Sequence, residues 1–146
     1  MDRGADRRSG VPARPSARLD AVERQGGSAS LAEDVRRALE GRDPEAFGRL
    51  LADDARWGDD DNPRRCRSRT DVVATLARGL AGGGEADLLE VTPGRVGVLC
   101  GLRVRWPGQP TGRLLYHVYR VAGGEIVEIQ PFDDRVAAAE AAGVDR

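Results

Sequence analysis

At Gly82-Gly83-Gly84 the apolar residues of this chain change their spacing, and that change limits the folds open to it. Before the glycines they recur at the 3.6-residue period of a helix. After them they alternate with the period of 2 that belongs to strands. A chain that is helical first and stranded afterwards builds an α+β domain, with helices gathered on one face of a sheet. Its 146 residues suffice for one such domain and its core.

The punctuation places the elements. Ser30-Leu31-Ala32-Glu33 is a capping box that opens a helix with Leu31, Val35, Ala38 and Leu39 on one face, and Gly41 ends it. Asp43-Pro44 supplies an N-cap and a first-turn proline for a second helix with Phe47, Leu50 and Leu51 on its apolar face. Asp53-Asp54 closes that helix, and 55–59 reads as a short strand. Ser68 caps a third helix carrying Val72, Val73, Leu76 and Leu80. Strands then follow at 86–92, 95–106, 113–121 and 125–132, joined by turn chemistry at Pro93-Gly94, Pro107-Gly108-Gln109-Pro110 and Ala122-Gly123-Gly124. Arg135 to Ala142 forms a last short helix, stopped by Gly143. The expected architecture is three N-terminal helices packed on a curved antiparallel sheet.

Composition narrows the function classes. All 23 basic residues are arginine and face 24 acids, for a net charge of −1, so nucleic-acid binding, which draws on a basic surplus, is not expected. No apolar run approaches the roughly 18 residues that span a bilayer, and no apolar segment of secretory type follows Met1. Cys66 and Cys100 make no disulfide framework, which points to the cytoplasm. Residues 1–29 hold six arginines and four acids with little apolar periodicity, and read as a disordered tail. The domain then spans 30–142, and 143–146 form a short C-terminal tail.

The last hairpin sets which side chains face inward. A three-residue loop Ala122-Gly123-Gly124 pairs Val121 with Glu125 and His117 with Ile129, so that Leu115, His117, Tyr119, Val127 and Ile129 share one face. Tyr116, Val118, Arg120, Ile126, Glu128 and Gln130 fall on the other. A two-residue loop would bring Glu128 and Gln130 beside His117 and Tyr119. The first register sends the charges to water but places Ile126 there too.

The order helix, Gly-Arg-Asp-Pro, helix, Ala52-Asp53-Asp54-Ala55-Arg56-Trp57, then the helix start Cys66-Arg67-Ser68-Arg69-Thr70-Asp71 resembles the nuclear transport factor 2-like superfamily. The ending from Val121 to Arg135 is similar to its small SnoaL-like bacterial members. The resemblance implies a cone, a bent sheet wrapped round the first helices over an apolar pocket, and often a homodimer. It covers enzymes and plain binders alike. In the ketosteroid isomerases among these relatives, the proton-abstracting aspartate falls at the place of Asp59 and an oxyanion-hole acid at that of His117. The tyrosine of their first helix has no counterpart, Val35 standing there instead, which weighs against steroid-type enolisation. Epoxide-hydrolysing relatives use an Arg-x-Asp unit on a strand. Here Arg18-Leu19-Asp20 lies in the tail and Arg69-Thr70-Asp71 at a helix start, so that chemistry is not expected.

The residues point the same way by themselves. A carboxylate at the mouth of an apolar pocket has its charged form disfavoured and so rises toward general-base range. The sole histidine is the one side chain with an ordinary pKa near neutrality. Asp59 as base and His117 as donor suit proton abstraction beside a carbonyl or an aldol-type ring closure, in a pocket walled by Trp57, Phe47, Leu115, Tyr119, Ile129 and Phe132. A histidine merely hydrogen-bonded in the core and an aspartate in a solvated turn are the plain alternatives. They leave a non-catalytic module that binds a small hydrophobic molecule or forms a homodimer. One histidine and two distant cysteines give no metal-ligand spacing, and no phosphate loop opens a helix, so neither metal nor cofactor is expected.

Overall fold

A computed structural model describes residues 17–58, 61–63 and 65–145, with the side chains of 17–28 left aside. Its elements run α1 (Ala17–Glu40), α2 (Pro44–Gly48), β1 (Leu51–Trp57), α3 (Arg69–Ala81), β2 (Glu85–Pro93), β3 (Gly97–Arg105), β4 (Arg113–Ala122), β5 (Glu125–Phe132) and α4 (Arg135–Ala142). The five strands form one sheet in the order β1-β5-β4-β3-β2. No described helix is long and apolar enough to cross a membrane.

The caps read from the sequence at Asp43 and Ser68 are in place, and Asp134 supplies another at the start of α4. The carboxylates of Asp43 and Asp134 and the hydroxyl of Ser68 accept backbone N–H bonds at the starts of α2, α4 and α3. Two boundaries differ. Helix α1 begins at Ala17, so residues 17–29, expected to be a tail, are helical, and the Ser30 capping box lies inside the helix. Helix α2 ends at Gly48, and Leu51, expected on its apolar face, instead starts β1. The other end also corrects the expected tail at 143–146, because Gly143 is buried and Val144 packs beneath α4.

The sheet is mixed rather than antiparallel. β1 runs parallel to β5, with Leu51 opposite Ile126 and Trp57 opposite Ile129, while the other pairs are antiparallel. β5 runs past the end of β1, so Pro131 meets a strand on one side alone and its missing N–H is tolerated in an inner strand.

The last hairpin departs from the expected register. Its loop is Gly123-Gly124, with φ of 62° and 81°, and Ala122 pairs with Glu125. Both positions lie in the left-handed region that glycine enters freely, as a two-residue turn of this hand requires. One extra residue in β5 then shifts the ladder between Arg120 and Val121. Ile126 opposes Val121, Glu128 opposes Arg120 and Ile129 opposes Tyr119. The bulge lets two neighbours share a side of the strand. It carries both Ile126 and Ile129 inward while Glu128 reaches Arg56 and Arg120 at 3.8 and 3.6 Å on the outside. That resolves the awkward placing of Ile126, which is fully buried.

The sheet therefore has two unlike faces. The inner face packs against α1, α2 and α3 in the main core, centred on Val35, Phe47, Leu51, Val72, Val98 and Tyr119. The outer face carries α4, under which Leu99 and Val118 meet Ala138 and Ala142.

Candidate functional site

Between the helical layer and the inner face lies a cavity of about 340 Å³. This is within the usual range of small-molecule sites. The helices contribute Ala38, Leu39, Phe47, Leu76 and Leu80; the sheet contributes Leu88, Leu102, Val104, Leu115, Tyr119 and Ile129, with His117 among them. Trp57 closes the β1 end. Trp106 stands at the mouth with Arg42, Asp43 and Glu85.

The pocket residues read from the sequence are brought together with one exception. Phe47, Trp57, Leu115, His117, Tyr119 and Ile129 all line the cavity. Phe132 does not: it pairs with Tyr116 and packs under α4, on the opposite face. The alternation explains it, because His117, Tyr119 and Ile129 face inward and Phe132 falls on the outward parity of β5. Asp59, the candidate base, lies outside the described residues. Trp106 also lines the cavity, although its sequence position marks only the end of a strand. Its indole lies so close to Gly84 that a Cβ added there would come within 2.6 Å of the ring. An aromatic residue opposite a glycine turn was the available signal.

His117 sits edge-on between two rings. Its centroid is 5.6 Å from Trp57 at 79° and 6.0 Å from Tyr119 at 62°, and Tyr119 stands 5.4 Å from Phe47 at 65°. What surface His117 retains faces the cavity, and burial in this apolar setting pulls its pKa down from 6.5 to about 4. The ring is therefore neutral at pH 7, with one N–H donor and one bare nitrogen acceptor. Neither nitrogen has a hydrogen-bond partner among the described residues.

The neighbouring polar groups are already engaged. Tyr119 is fully enclosed beside Cys100, and burial holds its phenol well above the ordinary pKa. Burial likewise pushes the Cys100 thiol up to about 12, so it is an inert core group. Thr75 donates to the Asp71 carbonyl at 2.9 Å and lies 3.3 Å from the Cys66 sulfur. Arg69-Thr70-Asp71 opens α3 and is bound up in capping and in an Asp53 ion pair at 2.6 Å. No group of His, Cys, Asp and Glu among the described residues could hold a metal ion.

Solved structures share this architecture. A candidate ketosteroid isomerase from Kribbella flavida superposes with a TM-score of 0.61 at 18% identity, over 74% of this chain and 78% of its own. A nuclear transport factor 2-like protein of unknown function from Mesorhizobium loti gives 0.60 at 21% identity, covering 75% and 92%. A Mycobacterium tuberculosis protein in complex with estradiol-17beta-hemisuccinate gives 0.56 at 18%, covering 73% and 92%. A comparison with curated proteins finds no match. The helices, the mixed sheet and the cavity between them define a nuclear transport factor 2-like fold. The SnoaL-like domain profile matches residues 32–129, and the chain belongs to that family.

Proposed function

We propose that this chain binds a small, largely apolar carbonyl or phenol compound in the cavity and acts on it by cofactor-independent acid/base chemistry of isomerase or cyclase type. The observation that supports this most is that neither nitrogen of His117 has a hydrogen-bond partner among the described residues. A buried polar group without a partner costs about 1–3 kcal/mol, and one turned toward a cavity is satisfied by whatever fills it. A neutral imidazole offers its N–H to a carbonyl oxygen and stabilises the enolate as charge grows there. The apolar walls keep water from competing for that bond. Asp59, following Gly58 at the end of β1, is the proposed base. Phe47, Trp57, Leu115, Tyr119 and Ile129 hold the flat body of the substrate. The mycobacterial neighbour, bound to a steroid ester, shows that a similar fold can hold a molecule of this kind.

A panel of planar ketones and phenols, screened by NMR of His117, tests the reading. Compounds that bind should move the lone imidazole signals, and turnover of any one of them should fall at least a hundredfold in Asp59→Asn and in His117→Phe. Turnover intact in Asp59→Asn removes the base. A second reading, ligand binding without chemistry, draws support from the cavity interior, where, away from the mouth that Arg42 shares, His117 is the one ionisable side chain not tied to another group among the described residues. Binding with no turnover across the panel selects it. We propose a homodimer as the working assembly, formed across the outer face that carries Arg103, Arg105, Arg120, Glu128 and Gln130. Sedimentation equilibrium returning a monomer at micromolar concentration rejects it.

A further inference from the structure

The mouth of the cavity carries a charge that its surroundings leave over. Arg42 is the one described arginine in the cavity wall, and it has no ion pair or side-chain hydrogen bond among the described residues. The two carboxylates beside it are engaged. Asp43 accepts the Ala46 N–H at 3.1 Å, and Glu85 is bound by Arg105 at 3.0 Å.

The backbone at Arg42 makes its presence harder to ascribe to folding. Its φ is 51°, which no other non-glycine residue described here matches in sign. It occupies the left-handed position that ends α1, where the Asp43 N–H reaches the Ala38 carbonyl and its own N–H the Leu39 carbonyl, both at 3.1 Å. Glycine suits that position and a side chain is strained there. Strain held at the lip of a cavity points to use rather than to stability.

Building on the pocket reading above, we propose that the ligand is an amphipathic anion, a flat apolar body with a carboxylate held by Arg42 at the mouth and a hydroxyl or carbonyl oxygen at His117. A guanidinium matches a carboxylate in two parallel hydrogen bonds. A singly charged group fits better than a phosphate, because Asp43 and Glu85 share the rim.

Titration calorimetry of the full chain with 6-hydroxy-2-naphthoic acid and with its methyl ester tests this at pH 7 and low salt. The acid should bind roughly fivefold more tightly than the ester, and added salt should shrink the gap. Arg42→Gln should erase the preference and leave the ester's affinity as it was. Arg42→Gly should do the same while keeping or raising the melting temperature, which separates ligand binding from folding. Equal affinity for acid and ester, or a preference that survives Arg42→Gln, overturns the proposal and leaves the cavity as a site for neutral molecules. Binding of neither compound overturns the proposal and the pocket reading with it.

Discussion

The two faces of the sheet are built from the same strands and finished in opposite ways. On the outer face α4 lies over Leu99 and Val118, and the side chains around it are satisfied: Asp134 caps the helix, and Arg135 binds Glu90 at 2.6 and 2.8 Å. On the inner face the helices stand off from the strands and leave a cavity, and His117 keeps two ring nitrogens without partners among the described residues. Alternate residues of one strand, Val118 and His117, thus meet a closed interface and an open one. Interiors pack to near crystal density, so the space left between the helices and the inner face marks where the fold gives up stability.

The largest test of that contrast is a pair of truncations. Leu99→Ala, in the closed face, should cost about 3 kcal/mol, whereas Leu115→Ala, whose side chain already borders empty space, should cost roughly 1 kcal/mol. Urea denaturation measures both, and equal losses would erase the distinction. Next comes pH. Above 6.5 both folded and unfolded chains hold His117 neutral; between 6.5 and about 4 the unfolded chain takes up a proton that the native one refuses. Stability should therefore fall by on the order of 3 kcal/mol as pH drops through that window. In thermal melts His117→Phe should flatten this stretch, and should match or exceed the native chain in stability at pH 5. Asp134→Ala, which removes the α4 cap, should lower stability by about 1 kcal/mol. The smallest effect belongs to Glu90. Its hydrogen bond from Arg135 lowers its pKa, so its contribution is present above the ordinary carboxylate range and fades as pH falls through the lowered value. Glu90→Gln should trim only this acid limb.

Much of this contrast is visible in the chain itself. Strand alternation alone puts Leu115, His117 and Tyr119 together, and Ser68, Gly82 and Gly143 mark ends of α3 and α4 where they are found. Local chemistry settles these features, so local reading finds them. The misses depend on distant partners. Leu51 suits a helix face or a strand equally, and only Ile126 across the sheet decides between them. The bulge in β5 carries no glycine to announce it; burial of Ile126 and the outward-facing Arg120–Glu128 pair select it together. Phe132 was placed among the pocket residues as an aromatic, but a side chain's type does not choose its face. The left-handed Arg42 hides because glycine at position 41 looks like the helix stop, while the chain turns one residue later.

The parallel pairing of β1 with β5 also sets an order of events. The first strand made by the ribosome must wait for the last before its inner edge is hydrogen-bonded, since Trp57 lies opposite Ile129. The antiparallel run from β2 to β5 can zip up through short turns as it emerges, but the wall that Trp57 supplies to His117 joins only after the chain's long return. The binding chamber is thus assembled last, and a nascent chain stalled before Glu125 carries β1 without its sheet partner. Folding speed and escape from aggregation should hinge on that late closure more than on any helix in the molecule.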